Sequence, residues 1–350
     1  MKQLYYMGQS CVRKKHFFAR QTNTYNLTAK EVRKARKMGF TADEYMIYGL
    51  KHNDPAEYVS EYEREIFREA AKEYRILLDN KVVFYNLIRN FAPTNQIFSY
   101  KMKGVYCALE TGYEEENLVH KLKELGKLVY KVPNAGGGEG FHLLEYVEAN
   151  YYVDRQSVEE DVILSLLNRD DYLIEEYCYQ GSFENELWEY SVNTIRIITI
   201  DFEGDIQVPA AIQRIGCQLN RCVDNASAGG LFAEIDVDSG KLSAARSYST
   251  EFFRPDNGVE QVFAFHPIKG SQIEGLLIPN WKKLREDIIA LHQKLSFTGI
   301  DFYAWDIALG DDGYKVIEAN TSCGMKFLQT KSGVRSSSIG LWMKKKGYIQ

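Results

Sequence analysis

The chain has 350 residues, 45% apolar and 26% charged, with a formal net charge of −5. That length allows two or three lobes, each around its own core, and the mild acidity gives no reason to expect a general nucleic-acid binder. No apolar run approaches the roughly 20 residues that cross a bilayer, so no transmembrane segment is expected, and the N-terminus lacks the apolar core of a secretion signal.

Residues 1–80 carry helical rather than alternating patterns. Thr28 followed by Glu31, and Thr41 followed by Glu44, are helix-start signals. The longest helix is expected from Pro55 to Leu78. A further helix follows Asp79-Asn80-Lys81, and Pro93-Thr94 leads into a strand near Gln96–Tyr100. Leu118, Leu122 and Leu125 share one face of a helix that Gly126 ends. Strands are expected at Leu128–Val132, at Phe141–Val147 as its antiparallel partner, and at Tyr172–Ile174 after a helix over Val158–Leu167. From Ser191 onward strands dominate, at Val192–Ile200, Ile206–Ile215 and Leu231–Val237. A helix with the stripe Leu284, Ile288, Leu291 and Leu295 precedes the last pair of strands.

That pair carries the chemistry. Ile300–Leu309 and Tyr314–Ala319 flank Asp311-Asp312-Gly313 and read as a β-hairpin. A three-residue loop with Gly313 left-handed would pair Gly310 with Tyr314, Ala308 with Val316 and Asp306 with Glu318. Asn320 then shares the face of Glu318. Two adjacent carboxylates and an amide oxygen suit Mg2+; the plainer alternative is a half-exposed hairpin with solvated acids.

A second signal lies between the strands after Lys131. Gly136, Gly137, Gly138 and Gly140 let backbone N–H groups approach an anion, or form a plain flexible turn. Neither a Walker loop nor a dinucleotide fingerprint fits this context. Glu175-Glu176-Tyr177-Cys178 ends a buried strand and fits a hinge beside a flat base. Arg196 and Arg214 sit on strands, where they need anionic partners, either structural carboxylates or a phosphate. The six cysteines (Cys11, Cys107, Cys178, Cys217, Cys222 and Cys323) lack metal-type pairing and are expected as reduced thiols of a cytoplasmic protein.

From about Lys81 to Cys323 this combination resembles the ATP-grasp superfamily. The phrases GFTADEY (39–45), SVNTIRIITI (191–200), DNASAGGLFAEID (224–236) and HPIKGSQIEGLLIPNW (266–281) look more narrowly like the sugar-transfer-associated ATP-grasp proteins. The ribosomal-protein glutamate ligases are similar across Asn193–Gly230 and the hairpin, but lack the N-terminal lobe. The resemblance implies an α+β, ATP-grasp fold, with two α+β lobes clamping ATP behind a helical N-terminal lobe. The divisions would be 1–80, 81–180 with the glycine loop, and 181–350 with the Mg2+-binding hairpin. Lys81 and Lys131 would bind phosphates under the glycine loop, and Glu176 and Cys178 would meet adenine through their backbones. Asp306, Glu318 and Asn320 would hold Mg2+, or Mn2+ in its place. Tyr179-Gln180-Gly181 departs from the narrower family's Gln-His and leaves the ribose contact to Glu184 or Glu186.

The activity implied is a carboxylate–amine ligase working through an acyl phosphate in cell-surface polysaccharide synthesis, with Arg196, Arg214 and Asn225 catalytic. Its substrates would be a small carboxylate and an amine, one of them a sugar or sugar nucleotide, and a homodimer is compatible with the sequence. The alternatives are a phosphotransferase acting on a hydroxyl and a non-catalytic nucleotide-binding partner of glycosyltransferases.

Overall fold

The computed structural model describes residues 13–218, 222–250, 262–329 and 331–350; Cys11 lies outside them. They fall into two compact units. One joins the N-terminal segment through Lys72 to the segment from Ser322, and the other holds Glu73–Ser249 and Val262–Thr321.

The first unit is helical. Helices Ala29–Met38 and Ala42–Ile47 start at Thr28 and Thr41, each with a complete capping box. The long helix expected over Pro55–Leu78 is instead broken into Pro55–Glu57 and Glu61–Ala70 in this unit, Lys72–Tyr74 at its boundary, and Arg75–Asp79, which belongs to the second unit. The break has a local cause and a distant one. Ser60 and Glu63 form a fresh capping box. The side-chain amide of Gln329 accepts from the Val59 N–H at 2.7 Å and donates to the Val59 carbonyl at 2.8 Å, so Val59 has no helical partner.

The second unit carries two antiparallel sheets. The first contains β1 (Ile97–Met102), β2 (Val105–Ala108), β3 (Lys127–Lys131), β4 (His142–Val147), β5 (Asn150–Val153), β6 (Gln156–Val158) and β7 (Tyr172–Glu175), in the order β2-β1-β7-β3-β4-β5-β6. Leu118 and Leu122 from helix Leu118–Leu125, and Ile163, Leu166 and Leu167 from helix Glu160–Leu167, fill its core with Leu128, Leu144 and Tyr172. The hairpin strands β5 and β6 escape the sequence reading for a clear reason. Their turns place Glu148, Ala149, Asp154 and Arg155 at positive φ without a glycine, so the usual turn signal is missing.

The other sheet contains β8 (Thr194–Phe202), β9 (Asp205–Ile215), β10 (Leu231–Ile235), β11 (Phe302–Gly310) and β12 (Gly313–Asn320), in the order β10-β9-β8-β11-β12. Helix Trp281–Lys294 packs on β8 and β9 with Leu284, Ile288 and Leu291 buried.

The β11–β12 hairpin differs from expectation at its tip. Its loop has only two residues, Asp311 and Asp312, and Gly310 pairs with Gly313. Gly313 has φ 157°, close to extended rather than left-handed helical. Ala308 therefore faces Lys315, not Val316. A bulge at Ile317 then inserts one residue and restores Asp306 opposite Glu318. Two opposite errors of one residue cancel at the position that matters.

Candidate functional site

Cross-strand pairing builds a row of charge on one face of the second sheet. Glu318 on β12 opposes Asp306 on β11, which in turn opposes Arg196 on β8. Arg214 on β9 opposes Thr194, two residues before Arg196 and therefore on the same face. Asp306, only 1% exposed, is the anion both arginines take. Arg196 donates through Nε to Oδ1 and through Nη2 to Oδ2 at 2.7 Å, and Arg214 Nη2 lies 3.0 Å from Oδ2.

Burial pushes the Asp306 carboxyl up, but the two guanidinium groups and their hydrogen bonds outweigh it and hold it well below the ordinary range. Glu318 moves the other way, raised by burial and by the neighbouring Asp306, with which it shares a hydrogen bond. Asn320 Nδ2 approaches Glu318 Oε1 at 3.5 Å.

Arg214 has a second support that the sequence reading overlooked. Thr194 Oγ1 donates to Asp224 Oδ2 at 2.6 Å and accepts from Arg214 Nε at 2.8 Å and Nη2 at 2.5 Å. A hydroxyl has one proton and the carboxylate takes it, so the oxygen lone pairs face the guanidinium. Asp224 is raised by burial, with Arg214 opposing. Thr194 was visible as the residue two before Arg196, and Asp224 as the acid beside Asn225.

The first sheet supplies the opposing wall. Lys131, at the end of β3, places Nζ 2.5 Å from Glu175 Oε1 on β7, and Asn95 Nδ2 donates to the same oxygen at 3.1 Å. Glu175 thus acts through its side chain, which the hinge reading did not anticipate. Lys81 opens helix Lys81–Ile88 and donates to the Ala135 carbonyl at 2.5 Å. Burial lowers its ammonium, and Glu318 is the largest opposing influence.

The glycine loop joins β3 to β4, with Gly137, Gly138 and Gly140 at positive φ. A Cβ on Gly138 would meet Val223 at 3.1 Å and one on Gly137 would lie 4.0 Å from Asn225 Nδ2, so the loop lies against the β9–β10 connection. A Cβ on Gly140 would come within 2.4 Å of Val132, in a conformation that already disfavours a side chain.

These walls enclose a cavity of about 140 Å³. Of the residues picked out by sequence, Lys81, Lys131, Gly136, Gly137, Gly138, Glu175, Tyr177, Cys178, Arg214, Asn225, Asp306 and Glu318 line it. Arg196 and Asn320 lie one contact behind, on Asp306 and Glu318. Gly140 closes the base of the loop, where its carbonyl accepts from the Val132 N–H at 3.2 Å. Glu176 turns to Lys315 on β12, 2.6 Å away, and its N–H donates to the Gln96 carbonyl.

Glu184 is not brought to the cavity wall. It is fully buried in helix Ser182–Leu187 and accepts from Gln213 Nε2 at 2.9 Å, and burial raises its carboxyl well above the ordinary range. Cys178 and Cys222 also line the cavity, but burial pushes both thiols up to about 11, which disfavours the reactive thiolate. Among the described residues, Cys107, Cys178 and Cys222 form no disulfide.

The donor set fits a hard divalent cation. Two touching carboxylates and an amide supply oxygen donors, and Glu318 is raised by burial and then by Asp306, a repulsion that a cation relieves. Asp306 already spends both oxygens on guanidinium groups, which leaves Glu318 and Asn320 as the better-placed donors.

The model of the family described as sugar-transfer associated ATP-grasp matches residues 58–339. The GFTADEY phrase at 39–45 falls outside that span. No curated protein matches the chain. Among solved structures the chain is similar to the ATP-grasp ligase PsnB, complexed with a minimal precursor, Mg and ADP. The identity is 15% over 76% of this chain and 57% of that one, with a TM-score of 0.38. It is also similar to D-alanyl-alanine synthetase A from Vibrio cholerae, at 12% identity over 73% and 58% of the two chains and a TM-score of 0.41. A third is the D-alanine–D-alanine ligase from Bacillus anthracis, at 15% identity over 77% and 63%, with a TM-score of 0.37. The chain spans less than two thirds of each of these proteins.

Proposed function

The chain belongs to the sugar-transfer-associated ATP-grasp family and has its α+β fold, and from that premise we propose an ATP-dependent carboxylate–amine ligase. The reaction forms an acyl phosphate from a carboxylate and ATP, and an amine then displaces phosphate to leave an amide. The family description supports only an association with sugar transfer; the proposal extends it to a sugar-bearing substrate in cell-surface polysaccharide synthesis. One observation carries the reading. Lys81, Lys131, Arg214, Asp306 and Glu318 converge on one cavity under a glycine loop.

In this reading Lys81 and Lys131 hold the phosphates, and the Glu176 carbonyl and Cys178 backbone meet the base. Glu318 and Asn320, with Asp306 behind them, hold Mg2+. That ion, when bound, offsets charge on the β- and γ-phosphates. Arg196 and Arg214 are already aimed by Asp306, so they stabilise the transferring phosphoryl and the later oxyanion without reorganising. Asn225, beside the glycine loop, orients the acceptor.

Oxygen-18 in the carboxylate substrate tests this. A ligase passes the label into released phosphate, and hydroxylamine traps the acyl phosphate as a hydroxamate. A phosphotransferase gives neither and accumulates a phosphate ester, and that outcome ends the ligase reading while leaving the nucleotide site.

A further inference from the structure

The row of charge on the second sheet runs further than the cavity. Phe232 on β10 opposes Arg214 on β9, and on its other side it pairs with Arg246. The Phe232 N–H donates to the Arg246 carbonyl at 2.9 Å, and the Arg246 N–H donates to the Phe232 carbonyl at 2.8 Å. Arg246 and Phe232 are thus a hydrogen-bonded pair, which leaves Phe232 and Arg214 as the closer, non-hydrogen-bonded kind. Residues directly opposite share a face. Arg214, Phe232 and Arg246 therefore lie side by side on the face that carries Arg196 and Asp306. The Cα atoms of the two outer arginines are then about 10 Å apart. Helix Trp281–Lys294 covers the opposite face, where His292 Nδ1 meets Thr199 Oγ1 at 2.8 Å.

The segment that carries Arg246 is tied to the loop at the cavity wall. Ser247 donates its hydroxyl to the Gly230 carbonyl at 3.2 Å and accepts from the Ser249 N–H at 3.2 Å. Gly230 closes the loop that starts at Asp224 and Asn225. Its N–H donates to the Asn225 carbonyl at 3.0 Å, and a Cβ there would come within 2.3 Å of the Asp224 carbonyl oxygen. The Tyr248 ring lies 4.7 Å from that of buried Phe232, so the ground between the two arginines is aromatic. Arg214 divides its donors between Asp306 and Thr194. A guanidinium has five N–H donors, so Arg246 can likewise keep a partner in the chain and still present donors to a ligand.

Resting on the ligase reading of this cavity, we propose that Arg246 forms a second anion subsite for the carboxylate substrate. The carboxylate that reacts lies at Arg214, and a further carboxylate or phosphate of the same molecule lies at Arg246. A guanidinium matches either anion with two parallel hydrogen bonds. The body between the anions, a short chain or a sugar ring, spans the Phe232–Tyr248 pair.

Titration calorimetry on the full chain, saturated with magnesium and the non-hydrolysable ATP analogue AMPPNP, tests this in two arms. One compares glutarate, adipate and pimelate with their monoamides, and the other compares glucuronate 1-phosphate with glucuronate. In at least one arm the dianion should bind about tenfold or more tightly than its partner, and the arm identifies the second anion as carboxylate or phosphate. Arg246→Gln, with AMPPNP binding as its folding control, should bring that pair to within about twofold. Arg246→Lys, which keeps the charge, should retain most of the preference. A wild type that prefers no dianion in either arm overturns the proposal without any variant having to fold. A preference that persists in Arg246→Gln overturns it too, because the second anion then lies elsewhere. If AMPPNP itself does not bind, the nucleotide reading falls and this inference with it; if it binds and no dianion is preferred, only the Arg246 subsite falls.

Discussion

Arg214 shows how much of the site depends on residues that need not touch a ligand. Its guanidinium is held by Asp306 in front and by the Thr194 hydroxyl behind, and the direction of that hydroxyl is set by Asp224. Thr194→Val keeps the shape and removes the relay. Turnover should fall roughly 10- to 100-fold as Arg214 loses its aim, while ATP affinity stays within about twofold. Thr194→Ser, which retains the hydroxyl, should recover most of the rate. A Ser variant as slow as the Val variant, or a parallel loss of ATP affinity, would show that Thr194 serves packing instead. Asp306 explains why this precision is needed. A buried carboxylate stripped of its cations is strongly destabilising, so both arginines also support the fold.

At the scale of elements, two features make separate claims. The β3–β4 loop contains glycines of unlike standing. Gly140 has φ 67° and no room for a Cβ beside Val132, whereas Gly136 has nothing within 4 Å of an added Cβ. Gly140→Ala should lower stability by about 1–3 kcal/mol, seen as a lower thermal midpoint. Gly136→Ala should leave that midpoint nearly unchanged, and equal effects would mean the loop does not hold this conformation.

In the helical unit, Glu44 accepts from the Thr41 N–H at 2.7 Å and the Glu61 N–H at 2.6 Å, so it pins two helix starts at once. Burial raises its carboxyl to about 7, with those amides opposing. An acid whose folded value lies above its ordinary 4.5 binds its proton more tightly when folded. Its stabilising contribution is therefore greatest at low pH and declines as pH rises from about 4.5 to about 7, by up to roughly 3 kcal/mol. Denaturant unfolding of the wild type and Glu44→Gln across this window should show the slope in the former and its loss in the latter. A wild-type profile that rises with pH there, after subtraction of the variant's, would contradict the sign.

For the molecule as a whole, the cavity and every residue assigned to it belong to the strand-rich unit. Binding linkage then locates the effect of nucleotide. ATP with magnesium at about 100 times its Kd should stabilise that unit by about 2.7 kcal/mol. The readout is slower hydrogen exchange in β3, β4, β11 and β12. Slowing confined to the helical unit would mean that nucleotide binds somewhere other than this cavity. Among the described residues no helix is long and apolar enough to cross a membrane.

The sequence by itself determined what local rules reach. Alternation put Glu318 with Asn320 on a shared face, and Thr28, Thr41 and Gly126 marked helix ends where the chain has them. It also determined the charged hairpin, although the turn that pairs Asp306 with Glu318 had to be corrected by one residue and the bulge at Ile317 corrected it back. Only the tertiary structure decided which partners those groups take. Arg196 meets Asp306 across 110 residues, and Asn95 meets Glu175 across 80. Glu184 was drawn into the core against Gln213 rather than to the cavity wall. The physical reason is common to all three. A side chain's face follows from the residues beside it, but its hydrogen-bond partner depends on strand order and register, and these are set by pairings between distant segments that no local pattern encodes.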